Sequence, residues 1–277
     1  MHLSGLFIHP VKSLRACAVD TAEVDALGLV GDRRFLVVDE NGRFLTQRTH
    51  PGMARVATAL SADILTLSAD GAEPVRVARA ADSSAPLRTV SVWHSDGLQG
   101  EDCGDAPAAW LGAVIGVSCR LVRIGPAFHR PILKPGKARP GDLVSAADAY
   151  PFLIVSEASL ADLNDRLVAR GEPALPMNRF RPNLVVAGCP AFAEDTWPRL
   201  RIGAITLRAA GPCARCVVTT TDQVTGERGK EPLRTLAGYR RDPDDPTDVN
   251  FGQNLIHETK SGTLRVGDTV EVLLGSF

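Results

Sequence analysis

Arg34-Phe35-Leu36-Val37-Val38-Asp39-Glu40-Asn41-Gly42-Arg43-Phe44-Leu45-Thr46 is the stretch that sets the fold class. Two apolar, strand-forming arms flank an Asn-Gly pair, and a tight reversal needs residues that tolerate positive φ. The stretch predicts a β-hairpin. Working outward, the same short apolar runs recur at Leu3–His9, Val56–Leu60, Ile64–Ser68, Val75–Ala78, Thr89–Trp93 and Cys119–Ile124, with Asp70-Gly71 as a turn. Further strands are expected at Leu184–Ala187, Leu200–Ala209, Arg215–Thr221 and Thr269–Leu274.

Helices are fewer. Ala106–Ile115 has Asp105 as a candidate N-cap, Pro107 in its first turn, Gly116 as its stop, and Trp110, Leu111, Val114 and Ile115 on one stripe. A second runs from Ser156 to Gly171: a serine cap, an acidic first turn, leucines at 160, 163 and 167, Arg170 in the last turn and a glycine stop. Many short strands that do not alternate with helices give a β-rich α+β chain, barrel-like rather than doubly wound. Neither Gly-rich nucleotide loop is present.

At 277 residues the chain can bury one large core or two modest ones. A net charge of −1 gives no general pull toward nucleic acid or membrane, so any basic site must be local. No apolar run approaches the ~20 residues of a bilayer span, and the N-terminus lacks the features of a signal peptide. Six cysteines are too few for a disulfide scaffold. A cytoplasmic protein is expected.

Gly211-Pro212-Cys213-Ala214-Arg215-Cys216-Val217-Val218-Thr219-Thr220-Thr221-Asp222 is the segment where chemistry is expected. A cysteine beside a cation is biased toward thiolate, the form that binds soft metals. Cys213-x-x-Cys216 admits four readings: half of a zinc site, a redox dithiol, two structural cysteines, or one thiolate ligand to a metal-containing cofactor. Zinc would need two further ligands, and Cys189 is isolated while His2, His9, His50, His94, His129 and His257 are scattered. A thioredoxin-like dithiol would open a helix, whereas this motif runs into an apolar, β-branched stretch. The segment Phe128–Gly141, with Arg130, Lys134, Lys137 and Arg139 among prolines and glycines, reads as a solvated loop with a basic face. The interval Asp242–Asp248 reads as an exposed loop. Lys12-Ser13, Arg33-Arg34, Arg48 and Arg179-Phe180-Arg181 stand at strand ends. Each is ordinarily a surface residue; gathered together, they would make a phosphate pocket. There is no Gly-x-Ser-x-Gly elbow or His-Glu-x-x-His pair.

His9-Pro10-Val11-Lys12-Ser13, Gly31-Asp32-Arg33, Ser156–Asn164, Asn178-Arg179-Phe180-Arg181-Pro182-Asn183, Pro212–Cys216, Glu231–Leu236, Phe251-Gly252-Gln253-Asn254 and Val266-Gly267-Asp268 follow one another in the order of a known family. The chain resembles the MOSC family. Within it, it resembles the branch with an N-terminal MOSC β-barrel domain that includes the mitochondrial amidoxime-reducing component and bacterial YcbX-type proteins. The resemblance implies a MOSC β-barrel core with an associated N-terminal β-barrel-like domain and a few helices, divided as residues 1–122 and 123–277. It implies a molybdenum cofactor (Mo-molybdopterin), with Cys216 as metal ligand and Cys213 a neighbour. Lys12, Ser13, Arg33, Asp148, Ala149, Arg181, Ala214 and Arg215 would bind the cofactor, and Asn254 would stand near the metal as a second catalytic residue.

The activity implied is reduction of N-hydroxylated compounds (amidoximes, hydroxylamines, N-hydroxylated bases), with the oxygen leaving as water. Electrons would come from a separate flavoprotein reductase, ferredoxin or cytochrome b5-like donor, since the chain ends at Phe277 without a Cys-x4-Cys-x2-Cys spacing. No nucleic-acid or membrane partner is implied. Ala214 replaces a serine of animal relatives, and Asn254 a tyrosine, which leaves substrate preference open. The alternative reading is a sulfur or molybdenum-cofactor carrier that uses Cys216.

Overall fold

The computed structural model of the protein describes residues 1–133 and 136–273. Lys134, the Leu274 end of the last expected strand and Phe277 lie outside the described residues.

The largest sheet has eight strands, in the order Val270–Val272, Arg199–Ile202, Ile205–Ala214, Asn250–His257, Phe152–Ser156, Leu184–Ala187, His2–Ile8 and Cys17–Ala18. One neighbouring pair is parallel, Phe152–Ser156 with Leu184–Ala187; the helix Glu157–Val168 makes the crossover that a parallel pair requires. A four-stranded sheet joins Phe35–Val38, Arg120–Arg123, Ser95–Asp102 and Leu87–Val92. Two three-stranded sheets complete the β structure: Gly262–Arg265 with Thr21–Asp25 and Gly28–Leu29, and Ala57–Leu60 with Ile64–Ala69 and Ala72–Ala78. The fold is thus the β-rich α+β class.

The chain's first strand belongs to the large sheet. His2–Ile8 pairs antiparallel with Leu184–Ala187 and sends Leu3, Leu6 and Ile8 into a core shared with Phe152, Ile154, Leu184, Leu200, Leu207 and Leu255. A second core, around Val11, Phe35, Val37, Met53, Leu65, Leu67, Leu111 and Leu121, lies beneath the four-stranded and one three-stranded sheet. Ile8 belongs to the first core and Val11, which bridges to Phe35, to the second, so the turn carrying Lys12 and Ser13 follows directly on the chain's passage from one core to the other.

The hairpin forms about Gly42 (φ +74°), where a β-carbon would fall 2.2 Å from the Thr89 carbonyl oxygen. Its second arm differs from expectation: it makes isolated bridges, Phe44 to Val38 and Arg43 to Ser91, rather than a continuous strand. The helix at Ser156 starts as expected, with Ser156 Oγ accepting from Ser159 N at 3.0 Å. It ends at Val168, short of Arg170. The first helix spans Asp105–Ile115, with Gly104 (φ +92°) at its N-cap. Asp105 pairs instead with Arg120, Nη1 to Oδ1 at 2.6 Å.

Two expected strands are corrected. Leu200–Ala209 is the hairpin Arg199–Ile202 and Ile205–Ala214, because Gly203 (φ +54°) turns the chain inside the apolar run. Arg215–Thr221 is not a strand: Val217–Thr220 forms a 3-10 turn. Thr219 Oγ1 donates to Cys216 O at 2.9 Å and Thr220 Oγ1 to Val217 O at 2.8 Å. These local bonds outweigh the strand preference of β-branched residues.

Candidate active site

One cavity of about 810 Å³ opens beside the large sheet, where Phe152 and Leu153 form part of its wall. Lys12, Ser13, Arg33, Asp148, Ala149, Arg181, Ala214, Arg215, Cys216 and Asn254 all line it. They come from chain segments as far apart as Lys12 and Asn254. The structure therefore brings the ten residues that the family resemblance singled out onto one cavity, while Arg34, Arg139 and Arg179 lie outside its lining.

The backbone around the cavity is unusual. Among the described residues, five non-glycine residues have positive φ, and four of them line this cavity: Ser13 (+68°), Arg33 (+47°), Trp93 (+56°) and Arg181 (+55°). Such conformations cost on the order of 1–3 kcal/mol each and persist where the surroundings demand them. Here they turn a hydroxyl, two guanidinium groups and an indole toward one space.

Positive charge is concentrated and only partly compensated. Lys12, buried at 4% exposure, donates to Ala146 O at 2.8 Å and is ion-paired to Asp148. Burial depresses the Lys12 pKa to about 8; Asp148 opposes this, while Arg130 and Arg33 add to it. Arg33 pairs with Asp32 at 2.6 Å and reaches Asn183 Oδ1 at 3.1 Å. Arg181 has no carboxylate partner among the described residues; its Nη1 donates to Gln223 Oε1 at 3.2 Å. Burial and then Arg33 bring the Arg181 pKa down to about 9, with Arg215 acting the same way. Enclosure pushes the Asp148 carboxyl up, but Lys12 and Arg48 outweigh it and hold the group below the usual carboxylate range. An anion entering this cavity would find charge already gathered, at a cost met by the fold.

The cysteines divide in a way the spacing alone does not reveal. Arg215 Nη1 lies 2.8 Å from Cys213 Sγ, and its Nη2 is held by Phe180 O at 2.6 Å. The flanking cation therefore serves Cys213, not Cys216. Burial still pushes the Cys213 thiol up, against the pull of Arg215. Cys216 is a free, half-buried thiol at the cavity wall, at the N-terminal end of the 3-10 turn. Asn254 pairs in register with Gly211, and its Nδ2 donates to Pro212 O at 3.0 Å. This pins the side chain next to the cysteine segment.

Two further residues, Arg130 and Trp93, join the wall without having been expected there. Arg130 is buried at 4% exposure, which corrects the solvated-loop reading of its segment. It donates to the carbonyls of Ser145 at 2.9 Å, Ala147 at 2.5 Å and Asp148 at 3.0 Å, and so fixes the loop that presents Asp148 and Ala149. Arg139 in the same segment does face solvent, paired with Glu258. Trp93 occupies a two-residue hairpin turn. It donates from Nε1 to Asp148 Oδ1 at 3.2 Å and carries the Arg48 guanidinium 4.4 Å from its ring centroid. The sequence reading placed Trp93 at the end of the strand Thr89–Trp93; a bulky aromatic in a turn that favours glycine or asparagine is the one clue that could have found it. Arg179 faces away, paired with Asp222 at 2.9 Å.

These residues fit a phosphate-bearing, metal-containing cofactor. Lys12, Arg181 and Arg215 are enclosed cations, and the Arg215 Nε is buried with no hydrogen-bond partner. Cys216 supplies the one unengaged sulfur of the motif, a soft ligand for a metal held by sulfur. No group of three or more metal-ligating side chains exists among the described residues, which removes the zinc half-site reading of Cys213 and Cys216. No helix among the described residues is long and apolar enough to cross a membrane.

Residues 1–118 match the MOSC N-terminal beta barrel domain, and residues 129–271 match the MOSC domain. Mitochondrial amidoxime-reducing component 1 of Mus musculus is 38% identical over 98% of this chain and 82% of its own. The Homo sapiens protein of that name is 37% identical over the same shares. Mitochondrial amidoxime reducing component 2 of Bos taurus is 38% identical over 97% of this chain and 82% of its own. Among solved structures, the YUAD protein of Bacillus subtilis covers 97% of this chain and 93% of its own at 12% identity and a TM-score of 0.37, too loose a likeness to inform the fold. By its two matched regions and its near-full-length similarity to amidoxime-reducing components, the chain belongs to the MOSC family of molybdenum-cofactor-associated reductases.

Proposed function

We propose that the protein is a molybdenum-cofactor-dependent reductase of N-hydroxylated compounds, served by a separate electron-donor protein. The observation that carries this is the meeting of Lys12, Arg181, Arg215 and Cys216 on one cavity whose positive charge exceeds its carboxylates. The printed names of the most similar relatives point the same way.

Within this proposal Lys12, Arg33, Arg181 and Arg215 neutralise the cofactor's phosphate. A charge-assisted hydrogen bond contributes about 1.5–3 kcal/mol, so a few suffice to retain the group. Ser13 would add a hydroxyl from its turn, and the Asp148–Ala149 loop, held by Arg130, would help hold the pterin. Cys216 would supply a thiolate to the metal. The cofactor, when bound, supplies the two-electron redox chemistry by which an N–OH oxygen leaves as water. Asn254, with its Nδ2 engaged by Pro212, keeps Oδ1 to accept a hydrogen bond from the substrate's N–OH or amidine N–H.

The test is a single turnover. Cofactor-loaded, pre-reduced protein mixed with benzamidoxime is expected to give close to one equivalent of benzamidine per bound molybdenum. Complete retention of benzamidoxime would overturn the assignment.

A further inference from the structure

Gln47 and Gln223 form a closed amide pair beneath the cavity, 176 residues apart in the chain. Gln47 Nε2 donates to Gln223 Oε1 at 3.0 Å, and Gln223 Nε2 donates to Gln47 Oε1 at 2.9 Å. Gln47 is 0% and Gln223 3% exposed, so every unmatched amide atom here would cost on the order of 1–3 kcal/mol. The remaining donors are used: Gln47 Nε2 reaches Ser13 O at 2.8 Å, and Gln223 Nε2 reaches Thr221 O at 3.1 Å. These two carbonyls fix which way round each amide sits. With both nitrogens committed, the Gln223 oxygen is the atom turned toward Arg181, whose Nη1 donates to it at 3.2 Å.

That bond is the one hydrogen bond the Arg181 guanidinium makes among the described residues, and Arg181 has no ion pair there. Arg33, by contrast, is paired with Asp32, and Lys12 with Asp148. A carboxylate at 223 would orient Arg181 equally well and cancel its charge. A neutral amide orients it and leaves the charge for an incoming anion. The pair is further clamped from outside: Arg15 Nε donates to Gln223 O at 3.1 Å, and Arg228 donates to Gln47 O.

We propose that Gln223 is a positioning residue for anion binding in this cavity: its side-chain oxygen, braced by Gln47, aims the Arg181 guanidinium at the ligand without neutralising it. The proposal rests on the cavity holding a phosphate group, as in the function proposed above. It adds that a buried amide outside the cavity wall sets how tightly that phosphate is held.

Inorganic phosphate titrated calorimetrically into cofactor-free protein, with near-ultraviolet circular dichroism as the fold check, tests it. Arg181→Ala is expected to weaken phosphate binding by roughly tenfold, the loss of one charge-assisted contact. Gln223→Ala is expected to weaken it about fivefold, but less than twofold when Arg181 is already alanine, because its effect passes through that side chain. Gln223→Glu is expected to weaken it at least as much as Gln223→Ala, by pairing with Arg181. Equal losses from Gln223→Ala in both backgrounds, or a Gln223→Glu protein that binds as well as the unmodified one, would overturn the proposal. If Gln223→Ala does not fold, Gln223→Met keeps the volume and carries the same comparison; failure of both to fold makes the residue structural and ends the proposal. Binding that Arg181→Ala removes but Gln223 does not influence overturns this assignment alone. Absence of phosphate binding by the unmodified protein overturns the anion site and this assignment together.

Discussion

Lys12 gives the cavity its pH dependence. Burial lowers its pKa to about 8, so the free site holds an ammonium below that value and loses it above. An anion stabilises the ammonium and raises its pKa, so binding is fully supported below about pH 8 and declines as pH rises through and beyond it. Phosphate affinity of the cofactor-free protein is therefore expected to fall by roughly fivefold between about pH 7.5 and pH 9.5. Calorimetric titration at the two pH values checks this, and a Lys12→Met protein should show a clearly smaller decline, the remainder belonging to Arg181, whose pKa burial brings down to about 9. At this scale the residues were partly legible. Lys12, Ser13, Arg33, Arg181 and Cys216 stand at turns and strand ends where sequence patterns can find them. The partner of Arg215 was not legible: its guanidinium turns back two residues to Cys213, a choice made by Phe180 O on its other side. Arg130 was hidden for a related reason, since its acceptors are backbone carbonyls that carry no sequence identity.

Among the elements, the strand Phe152–Ser156 and helix Glu157–Val168 form the best-braced unit near the site. Ser156 ends the strand and caps the helix, accepting from Ser159 N at 3.0 Å. The buried Glu194 Oε1 accepts from Ser156 N at 3.0 Å and from Ser159 Oγ at 2.7 Å. Removing the Ser156 hydroxyl takes away both a cap and a buried partner. Ser156→Ala is expected to lower unfolding stability by about 1–3 kcal/mol, read from urea midpoints at unchanged slope. No change in midpoint would contradict the account of this junction. The helix was legible from its cap and leucine spacing, whereas Phe152–Ser156 was not, because a wholly buried strand shows no alternation. Asn250–His257 was obscured differently: its glycine, glutamine and asparagines lack strand character and are held there by pairing on both sides. In Val217–Thr220 the opposite failure occurs, where β-branched residues suggest a strand and their hydroxyls close a turn.

For the whole molecule, the decisive feature is that the first strand, with the short Cys17–Ala18 strand on its edge, completes a sheet built otherwise from the second half of the chain. Leu3, Leu6 and Ile8 are at most 5% exposed and pack with residues as distant as Val270. Each such side chain contributes about 1.5–3 kcal/mol on burial, so losing three is comparable to a domain's entire stability. A chain lacking residues 1–9 is expected to lose its cooperative thermal transition; a sharp transition near that of the intact protein would contradict this topology. The same wrapping brings Lys12 and Ser13 against Arg181 and Cys216, so the cavity exists only when both parts of the chain are in place. Such long-range closure lies beyond local patterns, which is why spacing alone suggested the residues while their meeting was implied only by the family resemblance. The central claim, that Cys216 holds a cofactor's metal in this cavity, is tested most directly by the molybdenum content per chain of protein purified from a cofactor-producing host. Near-stoichiometric metal in the unmodified protein, falling to a small fraction in a folded Cys216→Ser protein, is the expected result. No molybdenum in the unmodified protein, or equal amounts in both, would contradict it.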